Sequence, residues 1–275
     1  MIKTYRINDY KKAKELLDYY MKDKSGYAFI HYACQSFYET QEGNSPRIVA
    51  ICIMYAGNHQ IYLFSLASLA EQQSLDLSHC DEKTLDMLER QMLSEFYMFM
   101  KNQKHIRYWF HWNMKDQNYG FEAIEQRYRR LNSNKKTKFH MDSEKLINIS
   151  SLLHMRYGEN FVSHPRLWSL LQKNSIHPKN PLNGEQEADA YKSKKFSSID
   201  RSVQAKVQVF SEILDRAANQ ELLTDTKLLR DIYGISIGSI LTYVKENWFF
   251  GMINIMFGVI SSIIASIIYS AITKK

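Results

Sequence analysis

From Trp248 to Ile272 the chain runs through 25 residues without a charged side chain. At about 1.5 Å of rise per residue, such a helix is longer than the ~30 Å hydrocarbon core of a bilayer. Soluble core helices rarely run this far without a charge. Isoleucine dominates the run, Trp248 marks one end, Tyr269 lies near the other, and Lys274 and Lys275 follow. Aromatic residues at both ends suit the two membrane interfaces. The whole chain is polar, with mean hydropathy −0.41, so the apolar character is local. One C-terminal transmembrane helix over 248–273 is therefore expected, with the preceding residues in water.

The orientation is expected from other features. Met1-Ile2-Lys3-Thr4-Tyr5-Arg6 opens a polar N-terminus without the apolar stretch of a secretory signal. Cys34, Cys52 and Cys80 form no CxxC pair, and an odd, sparse count suits a reducing compartment. Counting Lys245, Glu246 and the two terminal lysines would put the tail inside. The free cysteines and missing signal favour a cytoplasmic domain instead, since a three-residue tail can cross.

Residues spaced at about 100° divide this helix unequally. Gly251, Asn254, Gly258, Ser261, Ser262, Ala265, Ser266, Tyr269 and Thr273 fall on one side. Most of the isoleucines fall on the other, with Ile255 and Ile272 as exceptions. Small residues let helices approach closely in lipid, and a carboxamide such as Asn254 at membrane depth calls for a partner or water. Self-association, and a water-lined pore of several such helices, are expected. The competing reading is a plain anchor whose serines bond back to their own backbone.

The remainder reads as a mixed α/β chain. Strand patterns cover Tyr27–Cys34, Arg47–Tyr55, His59–Leu66 and Ile106–Trp112. Helical patterns cover residues 7–22, Asp81–Asn102, Tyr119–Leu131, Ser143–Tyr157, Pro165–Lys173 and Ser202–Asn219. Strands followed by helices give an α/β domain with a helical C-terminal half. The expected division is an N-terminal helix to residue 24, the α/β domain over 25–220, a helical linker over 221–247 and the membrane helix.

Two segments stand out chemically. In Tyr108-Trp109-Phe110-His111-Trp112-Asn113-Met114-Lys115-Asp116 an apolar strand runs into polar side chains, where α/β folds build their sites. A strand cap, with His111 and Asn113 bonding nearby backbone, explains it equally well. Arg127-Tyr128-Arg129-Arg130 and Lys135-Lys136-Thr137-Lys138 carry six positive charges without an acid. Such a run can track phosphates, with Tyr128 stacking a base; a solvated helix end is the alternative. No GxSxG, HExxH or GxxxxGK[ST] occurs, and the nine histidines lack metal-ligand spacing. No cofactor or metal is expected. The +7 charge and pI near 9.1 suit an anionic partner without choosing one.

The strand order resembles the DEDD-type 3′–5′ exonucleases, which share the ribonuclease H-like fold, over roughly residues 25–220. Tyr27–Gln35 corresponds to their first strand, His111-x-Asn113 with Asp116 to their middle motif, and Ser202–Ala218 to their last helix. The departures are chemical. Ala33 and Gln35 stand where Asp-x-Glu belongs, and Lys206 stands near the place of the last acid. Two-metal chemistry needs several carboxylates around ions about 3.5–4 Å apart. The resemblance thus implies a disarmed nuclease with no catalytic residue, which binds a strand through His31, Gln35, His111, Asn113, Tyr119 and Lys206. A membrane-tethered nuclease is the alternative. The His111–Met114 stretch, Tyr119-Gly120-Phe121 and the C-terminal helix also resemble bacterial anti-phage membrane effectors, nearest the effector subunit of the Hailong system. That resemblance implies an inner-membrane homo-oligomer, with four subunits favoured. Its soluble crown would bind a single-stranded DNA oligomer made by a partner nucleotidyltransferase, and the bound DNA would hold a channel shut.

Overall fold

The computed structural model describes residues 6–36, 46–114, 119–133 and 141–235, positions 238, 240, 241 and 246, and 248–273. Two compact units divide the chain: Asn8–Thr226, and Lys227–Lys275 together with the first seven residues.

The larger unit is a mixed α/β structure built on five strands: β1 (Tyr27–Cys34), β2 (Ile48–Tyr55), β3 (Ile61–Ser65), β4 (Tyr108–His111) and β5 (Leu146–Asn148). Their order across the sheet is β3-β2-β1-β4-β5. β1 to β3 form an antiparallel meander, whereas β4 and β5 add parallel beside β1, with Phe29 opposite Phe110 and His111 opposite Asn148. All eight residues of β1 are buried. Neighbouring residues of a strand point to opposite faces, so both faces of the sheet centre are covered.

Helices supply that cover. They are α1 (Ile7–Lys22), α2 (Leu66–Gln72), α3 (Glu82–Asn102), α4 (Phe121–Leu131), α5 (Ile149–Tyr157), α6 (Arg166–Lys173), α7 (Gly184–Lys192) and α8 (Phe196–Ala218). α3 starts where the Asp81 carboxylate accepts from the Thr84 amide, and buries Leu85, Leu88, Met92 and Phe96 at helical spacing. α8 lies against β1 and β2 through Ile199, Val203, Val207, Phe210 and Leu214. Tyr20 of α1 meets Phe110 edge-on, with ring centres 5.0 Å apart.

The structure corrects three expectations. Ser143–Tyr157 is not one helix: Leu146–Asn148 is an edge strand, and the Asn148 side chain caps α5 by accepting from the Ser150 amide. α8 begins at Phe196 rather than Ser202, and α2 and α7 add helices that the periodicities did not suggest. Among the described residues of the expected helical linker, 221–227 are not helical, Leu228–Ile232 is a π-helical turn, and Gly234 at φ 68° follows it.

Asp200 on α8 gives the sheet unit a pH signature. It is 8% exposed and its carboxylate accepts from the Ser65 hydroxyl at 2.8 Å. Burial pushes this carboxyl up to about 6, against the opposing pull of Ser65 and Arg201. A carboxyl that is more basic folded than unfolded loses stability as pH rises from about 4 to about 6, and carries the full cost above that. Asp200→Asn should therefore raise unfolding free energy at pH 7.5 by about 1–3 kcal/mol and flatten that pH slope. Urea titrations of the two proteins at several pH values read it, and equal slopes would remove Asp200 from the account.

In the second unit, α9 (Trp248–Thr273) is a single helix of 26 residues. Its Gly251–Ser270 portion has mean hydropathy 2.1 and is long and apolar enough to cross a membrane. The hydroxyls of Ser261, Ser262 and Ser270 donate to the carbonyls of Phe257, Val259 and Ile267 at 2.7, 2.9 and 2.9 Å.

Candidate functional site

The C-terminal ends of the parallel strands β1 and β4 meet α7 and α8 around two adjoining cavities of about 620 and 340 Å³. Tyr119, Gly184 and Lys206 line both. Strand ends of this kind are where open α/β sheets collect ligand-facing groups.

Lys206 is the central charge. It is 7% exposed, and its Nζ donates to Glu187 Oε1 at 2.7 Å. The same oxygen accepts from the Ser202 hydroxyl at 2.7 Å, and Ser202 Oγ in turn accepts from the Leu182 amide at 3.0 Å. His31 stands on β1 beside this pair, 6% exposed, with no hydrogen-bond partner among the described residues at either ring nitrogen and Phe210 edge-on at 5.6 Å. Burial and the Lys206 charge hold its imidazole well below its ordinary range, so it is neutral. Trp112 stacks on Phe210 at 6.1 Å and 19° to close the smaller cavity. Tyr119 stacks on Tyr32 at 4.8 Å, and burial raises its phenol well above 10.

The structure sorts the sequence candidates. His31, Asn113, Tyr119 and Lys206 come together as cavity walls. His111 does not join them: it is fully buried, and its Nδ1 accepts from the Met114 amide at 3.1 Å, which makes it a cap on the turn leaving β4. Asn113 completes that turn at φ 54°, donating its amide to Asn148 Oδ1 at 3.1 Å and accepting from Asn148 Nδ2 at 3.2 Å. Gln35 lines neither cavity; its backbone amide donates to the Arg47 carbonyl at 2.9 Å.

The basic run separates further. Arg127 is buried and holds Glu89 with Nε–O distances of 2.8 and 3.0 Å and an Nη2–O distance of 2.6 Å. Its charge is committed to the core, which corrects the expectation that it meets phosphate. Burial pushes the Glu89 carboxyl up, while Arg127, the Ile48 amide and Arg47 oppose that push. Tyr128 packs edge-on to Tyr97 at 4.8 Å, Arg129 is half-buried and Arg130 is exposed. Lys135, Lys136, Lys138 and Asp116 lie outside the described residues.

Glu187 and Gly184 were not anticipated. The signal for them was present: Asn183 and Gln186 form a reciprocal capping box that starts α7. Among the described residues no group of three His, Cys, Asp or Glu side chains is placed to hold a metal ion. A buried ammonium, a neutral imidazole and aromatic walls can together receive an anionic ligand that carries a flat ring. No family model matches this chain, and no curated protein matches its sequence.

Proposed function

We propose that this chain is a membrane effector of anti-phage defence. Its α/β unit binds a single-stranded oligonucleotide supplied by a partner nucleotidyltransferase, and its C-terminal helices assemble an inner-membrane pore that the ligand gates. The observation that carries the ligand half is Lys206, a buried cation at the end of a sheet whose first strand offers Ala33 to the cavity, where a two-metal nuclease needs acids. The strand order and the parallel placing of β4 and β5 support a ribonuclease H-like fold. The length and apolarity of α9 support the membrane half. A ligand shifts a channel only by binding its closed and open forms unequally, so each subunit needs such a site.

Gly184 provides the test. A Cβ built there meets nothing within 4 Å among the described residues, and the residue lines both cavities. Gly184→Leu should fill the junction, leave the melting temperature near that of the parent, and weaken single-stranded DNA binding at least about tenfold. Binding of the parent should also fall steeply with salt. The proposal fails if the parent binds no single-stranded DNA at low salt, or if a folded Gly184→Leu protein binds it as well as the parent does.

A further inference from the structure

Lys206 is the one charged residue of the three that line both cavities, and a carboxylate from the same chain already engages it. That carboxylate belongs to α7, which also contributes Gly184, Glu185, Ala188, Asp189 and Lys192 to the larger cavity. α7 is therefore both a wall of the cavity and the owner of the anion on its central cation. Its hold on the rest of the unit runs through α8, β1 and Arg47: Glu187 bonds both Ser202 and Lys206 of α8, and the Tyr191 hydroxyl accepts from Arg47 at 3.1 Å.

Buried ion pairs gain little net stability, because desolvation offsets most of the attraction, yet a buried cation left alone is strongly unfavourable. Exchange of one anion for another on the same ammonium avoids that penalty. An ammonium has three donors and Glu187 takes one of them with a single oxygen, whereas a phosphate group offers several oxygens and more than one charge. His31 adds an independent observation. Its ring, 94% buried beside Lys206, has no partner among the described residues at either nitrogen and lines the smaller cavity. A neutral imidazole there can donate one hydrogen bond and accept another from a group that reaches Lys206.

We propose that Glu187 is an internal latch: it holds Lys206 in the manner of a phosphate, and a phosphate-bearing ligand displaces it, frees α7 from α8 and so changes the wall of the larger cavity. This deepens the ligand-gating reading by naming the element that answers to binding. α7 is the part that answers, and the Glu187–Lys206 pair is the restraint that faces the cavities, beside the Glu187–Ser202 and Arg47–Tyr191 bonds.

The full-length protein in detergent micelles, with inorganic pyrophosphate as the probe and calorimetry as the readout, tests this. Glu187→Gln should bind pyrophosphate about tenfold more tightly than the parent, Lys206→Met should lose binding, and the double variant should bind no better than Lys206→Met. Glu187→Gln affinity equal to or below the parent's in a folded protein overturns the latch. In the parent itself, pyrophosphate should quicken amide hydrogen exchange across Gly184–Lys192. Unchanged or slower exchange there overturns it whatever the variants do. A single-stranded DNA titration run alongside separates the two ideas. If the pyrophosphate results hold but DNA does not bind, the latch stands and the oligonucleotide reading falls. DNA binding that is indifferent to Glu187→Gln, with unchanged exchange in α7, has the opposite meaning.

Discussion

Arg127→Met should lower the unfolding free energy by about 3–5 kcal/mol, a large part of what a domain of this kind has. The reason is the partner it leaves behind. Glu89 is fully buried on α3, and its other contacts are the Ile48 amide at 2.7 Å and Arg47 Nε at 3.4 Å. Arg47 is itself shared with Glu82, Asp86 and the Tyr191 hydroxyl. A carboxylate stripped of its forked guanidinium in that setting must take up a proton or unfold the surroundings. Arg130→Ala, on the exposed side of the same helix, should change stability by less than about 0.5 kcal/mol. Pairing Glu89→Leu with Arg127→Met should restore part of the loss, because apolar pairs often replace buried ions well. Urea unfolding of the four proteins decides it: equal midpoints for Arg127→Met and Arg130→Ala would dismiss the network as structural support. The result also bears on nucleic-acid assays. Joint replacement of Arg127, Arg129 and Arg130 by alanine would abolish binding through unfolding alone, so phosphate contact by this run is better tested at Arg130 and the lysines after it.

The second large effect belongs to α9. Gly258→Leu should cut ion flux through membranes carrying the protein at least about tenfold, by forcing apart helix backbones that small residues let approach. Among the described residues, a Cβ built at Gly258 or Gly251 meets nothing within 4 Å. Any loss therefore reports a neighbouring copy rather than damage to the helix. Asn254→Leu should leave assembly intact and alter conduction, whereas Ile263→Leu, from the isoleucine side, should do little. Membrane depolarisation in cells with matched expression provides the measurement, and crosslinking in the membrane reports assembly. Three variants with the same flux would reduce α9 to an anchor. The serines constrain the outcome, because Ser261, Ser262 and Ser270 have satisfied their hydroxyls on their own backbone. Close packing then rests on their small size more than on hydrogen bonds between helices.

Much of this architecture was legible in the residues, for physical reasons. β1 to β3 carry dense apolar runs, β2 turns into β3 within residues 56–60, and α3 carries its own cap and period. β5 was illegible because three residues contain no period. Its strand character comes from pairing with Trp109, Phe110 and His111, more than thirty residues away in sequence. The resemblance to the exonucleases named His31, Asn113, Tyr119 and Lys206, and all four line the smaller cavity, because strand ends and the late helix α8 converge there. Arg127 misled because a charge run on paper does not say which side of a helix it occupies: Arg127 turns to α3 while Arg130, three residues on, faces out. Glu187 was missed because a carboxylate matters to this site only through Lys206, a contact that spans nineteen residues and two helices.

The covering of β1 and β2 by α8 has a consequence for synthesis. β2 ends at Tyr55 and α8 ends at Ala218, so 163 residues separate the exposed strand pair from its cover. At about 5–20 residues per second, a ribosome leaves one side of that hairpin bare for roughly 10–30 s. Nascent chains in that interval present Val, Ile and Met side chains of β2 without the cover of α8. The cover is complete only as the apolar C-terminal helix is about to be made. Synthesis of that helix therefore follows directly on closure of the sheet unit, and slowing translation before residue 218 should raise aggregation more than slowing it afterwards.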